Sequence, residues 1–187
     1  ALPARDALRA LTPRGRKQAR RAGKALARLG LAPRDVWTSR LARAQETAQA
    51  ATDAVGRAGD ARVRITSTAT LAPDAAPERI LRTLLDTPPP PAAPTAPAKP
   101  ARRRRPVGRG SRRPLEPPPV VRWVVGHDPH LARLAALAIG APPTSIRLPK
   151  GAFAILAFDG RGPSVGAGVL THLLDPAALK AVRRRHR

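Results

Sequence analysis

The stretch "VVRWVVGHDPHLARLAAL", residues 120–137, joins a short apolar run to a helix-like pattern through Gly126, His127, Asp128 and Pro129. The apolar run has the length and β-branched content of a buried strand, and the residues after Pro129 repeat apolar positions with helical spacing. In parallel sheets, ligands bind at the carboxyl ends of strands, next to helix N-termini. A phosphate-handling site would explain a histidine at this boundary, and a histidine that only caps the turn would explain it too.

The composition limits the classes of protein to consider. A chain of 187 residues suits one domain, and the absence of cysteine excludes disulfides, thiol chemistry and cysteine-based metal sites. The formal charge of +23 would attract nucleic acid, anionic lipid or phosphorylated partners. However, arginine, alanine and proline are enriched together, as in proteins of GC-rich genomes, and the charge is spread over several elements. General compositional bias is therefore the favoured explanation of the charge.

Targeting and membrane signals are missing from the sequence. No apolar run approaches the ~20 residues that a membrane span needs, and there is no signal-peptide core. We expect no membrane association and a cytoplasmic location.

Strand and helix patterns alternate along the chain. Thr12 is a predicted N-cap with Pro13 in the first helical position, and Gly30 ends that helix. Further helices are predicted at 40–56, 76–87, 129–140 and 175–187, and strands at 35–39, 62–67, 120–126, 151–160 and 164–174. This alternation predicts an α/β fold, a three-layer α/β/α sandwich with a mostly parallel sheet.

The first and third helices have predicted apolar faces. These faces comprise Ala19, Ala22, Leu26 and Leu29 in the first and Ile80, Leu81, Leu84 and Leu85 in the third.

Residues 88–119 differ in composition from the rest of the chain. They hold 12 of the 23 prolines and the run Arg102–Arg105. Such a segment cannot bury enough apolar surface to fold. We therefore expect a disordered basic insertion within a single domain that spans 1–187.

The second informative stretch is "TSRLARAQETA", residues 38–48, a strand end followed by a helix that carries Arg40, Arg43 and Thr47. A guanidinium in the first turn of such a helix can reach the carboxyl edge of the sheet and bind two phosphate oxygens in a fork. Taken alone, this stretch is more typical of solvated arginines in an arginine-rich protein.

Together, "SRLARAQET" and the downstream "VVGHDPHL" resemble the histidine phosphatase superfamily, and most closely its SixA-type phosphohistidine phosphatase branch. The shared pattern falls on Ser39, Arg43, Ala44 and Thr47, and then on the Gly-His turn at residues 126–127. "LTPRGRKQA" (11–19) resembles the branch's first helix start, and "LPKGAFAILAFDG" (148–160) its penultimate strand. The likeness covers nearly the whole chain apart from the basic insertion.

The resemblance implies a two-step phosphoryl transfer. A histidine in an arginine-histidine-glycine triplet would attack phosphorus, and water would release phosphate from the phosphohistidine. Arg43 would hold the phosphoryl oxygens, and His127 would donate a hydrogen bond to them as imidazolium. A phosphohistidine substrate has a good leaving group, so a dedicated carboxylic acid would be dispensable, and Asp128 is assigned no role.

One departure from the family concerns the nucleophile. In the family, the triplet ends a first strand that precedes the leucine-threonine helix start. Here the eleven residues before Thr12, "ALPARDALRAL", hold no histidine. The expected first strand and nucleophile are absent from this sequence, either because an upstream segment is missing, which the non-Met start favours, or because the protein lacks that chemistry.

The remaining polar residues are assigned structural roles. His127 and His130 have a two-ligand spacing without a third ligand, so neither a metal nor any other cofactor is expected. Ser39 has no base and carboxylate arrangement around it and is predicted to orient the strand-to-helix turn. His172 is predicted to lie in a strand, and His186 in a solvated basic tail.

Three functions remain open at this point. The first is a phosphatase that acts on a phosphohistidine protein or a phosphorylated small molecule. The second is a catalytically inactive phosphatase-like protein that binds a phosphorylated or polyanionic partner through Arg43 and His127. The third is association with nucleic acid through Arg102–Arg105 and residues 183–187, which the lack of a known motif and of stacking aromatics disfavours.

Overall fold

The computed structural model describes residues 4–55, 63–87, 120–159 and 162–178. The predicted insertion at 88–119, the basic tail at 183–187 and His186 lie outside these residues. In the described part of the chain, no helix is both long enough and apolar enough to cross a membrane.

The described elements follow the predicted alternation. The helices are α1 (Ala4–Ala7), α2 (Pro13–Arg28), α3 (Ala42–Val55), α4 (Pro77–Asp86) and α5 (His130–Ala138). The strands are β1 (Asp35–Ser39), β2 (Arg64–Thr68), β3 (Arg122–Val125), β4 (Phe153–Ala157) and β5 (Val169–Leu174), and a single 3-10 turn, Ala69–Leu71, follows β2. Residues 176–178 are also helical.

The parallel sheet is built around β1. This strand lies between β2 and β3, and both pairings are parallel, with Thr38 opposite Ser67 on one side and Val125 on the other. All five residues of β1 are buried, as expected for a central strand covered on both faces. β4 and β5 form a separate antiparallel pair. In the described residues, β3 pairs only with β1, and β4 pairs only with β5.

Helices cover both faces of the parallel sheet. Val36 packs with Ala48 of α3 and Ala19 of α2 on one face. Trp37, the next residue, packs with Ile80 of α4 and Leu134 of α5 on the other. The side chains of neighbouring strand residues point to opposite faces, so β1 contacts both helix layers. The predicted α/β fold is confirmed.

The α2 helix begins as its sequence predicts and packs closely on α3. The Thr12 side chain accepts a hydrogen bond from the Gly15 backbone N–H at 3.1 Å, which caps the first turn. A Cβ at Gly23 would overlap the Ala51 carbonyl, so this glycine permits the close approach of the two helices.

Two of the predicted apolar positions are wrong, and one strand starts later than predicted. Leu29 is 45% exposed because it lies beyond the last turn of α2, and Leu85 is 46% exposed near the end of α4. β5 begins at Val169 rather than at residue 164, since residues 165–167 form a turn in which Gly166 has a φ of 72°.

The amino-terminal ends of β1 and β3 are joined by a buried ion pair. Arg122 Nε donates to Asp35 Oδ2 at 2.8 Å, and Nη2 lies 2.8 Å from the same oxygen without the angle of a hydrogen bond. Arg122 Nη1 donates to the backbone carbonyls of Thr87 (2.7 Å) and Leu84 (3.4 Å) at the end of α4. The guanidinium also stacks 4.8 Å from the Trp37 ring centre. The Arg122 side chain thus links β1 and β3 to the carboxyl end of α4.

Candidate active site

The site lies where two neighbouring parallel strands end. Ser39 is the last residue of β1, and His127 follows the end of β3 by two residues. Because the two strands are adjacent and parallel, the turns after them meet at the same edge of the sheet. The sequence predicted that the residues after β1 and after β3 lie at this edge, and the structure places them there.

Ser39 orients the turn that leads to Arg43. Its side chain is fully buried, and its Oγ accepts a hydrogen bond from the Leu41 backbone N–H at 3.3 Å. α3 then begins at Ala42, and the buried Ala44 and Ala48 hold the helix against the rest of the protein. The predicted turn-orienting role of Ser39 is confirmed.

Arg43 extends from the first turn of α3 and is bound by a residue far away in the sequence. Its Nη2 lies 3.1 Å from Asp6 Oδ2, and its Nη1 donates to the Asp6 backbone carbonyl at 2.8 Å. Arg43 is 27% and Asp6 28% exposed, so solvent reaches both side chains. Arg40, the other arginine of the stretch, is exposed.

His127 lies close to Arg43, Asp6 and His130 and responds to their charges. Burial lowers the pKa of His127 below its usual 6.5, and the positive charges of Arg43 and His130 lower it further. The carboxylate of Asp6 opposes this by raising the pKa. The neutral imidazole is therefore favoured at neutral pH in the ligand-free site.

Two ring nitrogens in the site have no partner within the described residues. His127 Nε2 and His130 Nδ1 are both buried and make no hydrogen bond. The His127 backbone carbonyl accepts from the Leu131 N–H at 3.0 Å, which fixes the residue at the start of α5. Since buried polar atoms are normally satisfied, these nitrogens are suited to contact a ligand or water.

Sequence reasoning missed Asp6 and the contribution of Glu46. Glu46 Oε2 accepts from the Leu11 backbone N–H at 3.3 Å and forms an ion pair with Arg16 at 2.6 Å. It therefore ties the segment before α2 to α3, three residues after Arg43. Asp6 lies 37 positions from its partner on a four-residue helix, and no local pattern marks it.

Other potential sites in the described residues do not involve Arg43 or His127. No group of three metal-ligating side chains occurs there. Two surface cavities of about 570 and 330 Å³ lie along α4, the first lined by α4 side chains and the second extending to Arg133 and Pro143. His172 lies in β5, as predicted, and is exposed.

Residues 8–71 match the model of the histidine phosphatase superfamily (branch 1). This match includes Ser39, Arg43 and Thr47 and ends before the His127 turn. No curated protein matches the chain.

Several solved structures are similar to the chain over most of its length. The SixA protein histidine phosphatase complexed with tungstate gives a TM-score of 0.64 at 18% identity, covering 96% of this chain and 92% of that one. A protein from Nakamurella multipartitia assigned as phosphohistidine phosphatase SixA gives 0.61 at 19% identity, with 95% and 91% covered. A protein with the same assignment from Agrobacterium tumefaciens gives 0.58 at 19% identity, with 94% and 90% covered.

These findings confirm the resemblance that the sequence predicts. The chain has the fold of the histidine phosphatase superfamily, and its first third also matches the family at the level of sequence. Its structural neighbours are SixA proteins, and at such low identity they establish the fold and not the activity.

Proposed function

We propose that this protein is a phosphohistidine phosphatase of the SixA type, in which Arg43 and His127 bind the transferring phosphoryl group. The observation that carries the proposal is that both residues follow the carboxyl ends of the adjacent parallel strands β1 and β3, near enough for the charge of Arg43 to lower the pKa of His127. Hydrolysis of a phosphoryl group depends mainly on positioning and on neutralising charge at the phosphoryl oxygens, and this pair can supply both.

Each side chain has a distinct role in this proposal. The Arg43 guanidinium has five N–H donors, of which one on Nη1 donates to the Asp6 carbonyl while Nη2 lies 3.1 Å from Asp6 Oδ2, so donors remain for phosphoryl oxygens. His127 donates one hydrogen bond through Nε2, the buried nitrogen without a partner. Phosphoryl binding favours the protonated ring, because the added negative charge opposes the effect of burial and of Arg43.

The attacking group in this proposal is a histidine that this chain does not contain. It would lie at the end of an additional strand, placed between β3 and β4 and parallel to β3. Each of these strands has one edge without a partner in the described residues. Val124 and Val125 of β3 are only partly buried, whereas β1 is wholly buried. Val124 and Leu156 of β4 pack against the same cluster, which is consistent with one strand between them.

The proposed substrate is a phosphohistidine on a protein. Its leaving group is an imidazole, which departs without a strong acid, and the site needs no further carboxylic acid. No cofactor and no metal takes part in the proposed reaction, and we propose that the protein acts in the cytoplasm.

A direct test compares chain 1–187 with the same chain extended by an N-terminal strand ending in arginine-histidine-glycine. We expect the extended protein to hydrolyse a phosphohistidine peptide and to form an acid-labile, alkali-stable phosphoenzyme. Chain 1–187 should show little or no turnover. Replacing the added histidine by alanine should abolish both signals and serves as the control.

The alternative function, binding without hydrolysis, predicts a different result. In that case the extended protein would bind phosphate and still fail to turn over. Robust turnover by chain 1–187 that survives His127→Ala would place the nucleophile elsewhere and contradict the assignment of the site.

A further inference from the structure

Arg43 is not free in this structure, because Asp6 binds it with two oxygens. One is carboxylate Oδ2, 3.1 Å from Nη2, and the other is the backbone carbonyl, 2.8 Å from Nη1. Two oxygens that bind the two terminal nitrogens of a guanidinium resemble the way two phosphate oxygens would bind it. Asp6 thus presents to Arg43 the kind of contact that a phosphoryl group would make.

Stability does not account for this pairing. The two side chains are 27% and 28% exposed, and ion pairs with this exposure contribute little to folding. α1 is a four-residue helix, and Leu8, the residue after it, is 80% exposed and adds little apolar burial. The contact with Asp6 therefore affects how the Arg43 guanidinium is bound and charge-balanced more than it affects the stability of the fold.

We propose that Asp6 is part of the phosphate site as its internal counter-anion. Its carboxylate holds Arg43 in the ligand-free site and gives up the guanidinium when a phosphoryl group binds. This inference rests on the proposed function, because it takes Arg43 as the phosphate ligand. In this role Asp6 lowers the affinity of the site for free phosphate, and so favours release of the reaction product.

The expected consequence follows from charge. With Asp6 in place, the carboxylate cancels the charge of Arg43, and an incoming phosphate dianion must also overcome repulsion from it. Asp6→Asn removes that charge and keeps the size of the side chain. We expect it to tighten the binding of inorganic phosphate by about threefold to fivefold, within the range that partly exposed charge pairs give.

The experiment is calorimetric titration of chain 1–187 with inorganic phosphate, and separately with tungstate, at one pH and one ionic strength. The variants are Asp6→Asn, Asp6→Ala and Arg43→Gln. Asp53→Asn is the matched control, because it removes the same charge from an exposed position on α3, about 15 Å along the helix from Arg43. It should leave the affinity within twofold of the parent.

A second readout confirms that the Asp6 variants are folded and that Asp6 lies beside the site. The Asp6 carboxylate raises the pKa of His127, so Asp6→Asn should lower that pKa in an NMR titration of the ring. A purely structural role would not combine a lower pKa of His127 with tighter phosphate binding.

The outcomes separate the inference from the proposed function. Weaker or unchanged phosphate binding by Asp6→Asn, with loss of binding in Arg43→Gln, overturns the counter-anion role and leaves the phosphate site intact. Unchanged binding in Arg43→Gln, or no binding by any variant, overturns the phosphate site and the inference with it.

Discussion

Arg43 and His127, the two side chains of the proposed phosphate site, are positioned in different ways. The turn that positions Arg43 is local: Ser39 ends β1, accepts the Leu41 N–H and starts α3. The short range of this turn is the reason that the strand-to-helix pattern predicted it. The environment of His127 is only partly local, because its burial and the charges of Arg43 and Asp6 depend on elements distant in sequence, and only His130 is nearby in the chain. Its lowered pKa could therefore not be predicted from residues 120–137.

At the residue scale, we predict that phosphate changes the protonation of His127. In the free protein its pKa lies below 6.5, because burial and Arg43 disfavour the charged ring. Folding therefore favours the neutral form, and the folded state loses stability as the pH falls below 6.5. Phosphate adds negative charge and should raise the pKa of His127. An NMR titration of the ring proton, with and without inorganic phosphate, measures the change.

His172 provides the internal control for this titration. It is exposed on β5 and contacts Thr171, so its signal should not respond to phosphate. A pKa of His127 that phosphate leaves unchanged would place the anion elsewhere.

At the element scale, the Asp35–Arg122 pair holds β1, β3 and the end of α4 together. Asp35 is 1% and Arg122 13% exposed, so removing one partner leaves the other charge buried. We predict that Asp35→Asn lowers the free energy of unfolding by about 3–5 kcal/mol. Urea denaturation followed by circular dichroism measures this difference.

The more exposed Arg16–Glu46 pair is the comparison. Glu46→Gln should cost about 1 kcal/mol or less, because solvent screens the pair. Equal losses of unfolding free energy in the two variants would contradict the conclusion that the Asp35–Arg122 pair holds β1, β3 and the end of α4 together.

The elements themselves were largely predictable, and the exceptions have physical causes. β1 was predicted with its observed bounds, and Thr12 and Pro13 correctly marked the start of α2, because caps and breakers act over a few residues. The prediction that Leu29 and Leu85 belong to buried apolar faces was wrong, because helical periodicity cannot show where the layer that covers a helix ends. The Asp35–Arg122 pair spans 87 positions and leaves no local signal.

At the scale of the whole molecule, the order of motifs along the chain was enough to identify the fold. Neither "SRLARAQET" nor "VVGHDPHL" is specific alone, but their order with strands and helices between them fits the three-layer sandwich. The sequence predicted a mostly parallel sheet and did not predict that β4 and β5 form a separate antiparallel pair. Their separation from β3 supports the proposed place for an additional strand.

The positive charge of the whole molecule concerns encounter with partners rather than the site. On α2, Arg14, Lys17, Arg20, Lys24 and Arg28 are exposed, and the helix has no acidic residue. Such a surface speeds association with acidic proteins at low salt, and it acts less on a small aryl phosphate, which carries fewer negative charges. Basic residues outside the site should therefore affect turnover of protein substrates more than turnover of small substrates.

The central claim is that Arg43 and His127 together bind the phosphoryl group. The most direct test measures turnover of a small aryl phosphate by the strand-extended protein and three variants side by side. Arg43→Lys should lose about tenfold or more, because lysine cannot form the fork, and His127→Ala should lose at least as much. A variant with Arg102–Arg105 neutralised should keep nearly full turnover. If that variant falls as far as Arg43→Lys, or if Arg43→Lys and His127→Ala both keep full turnover, the phosphate site is misplaced.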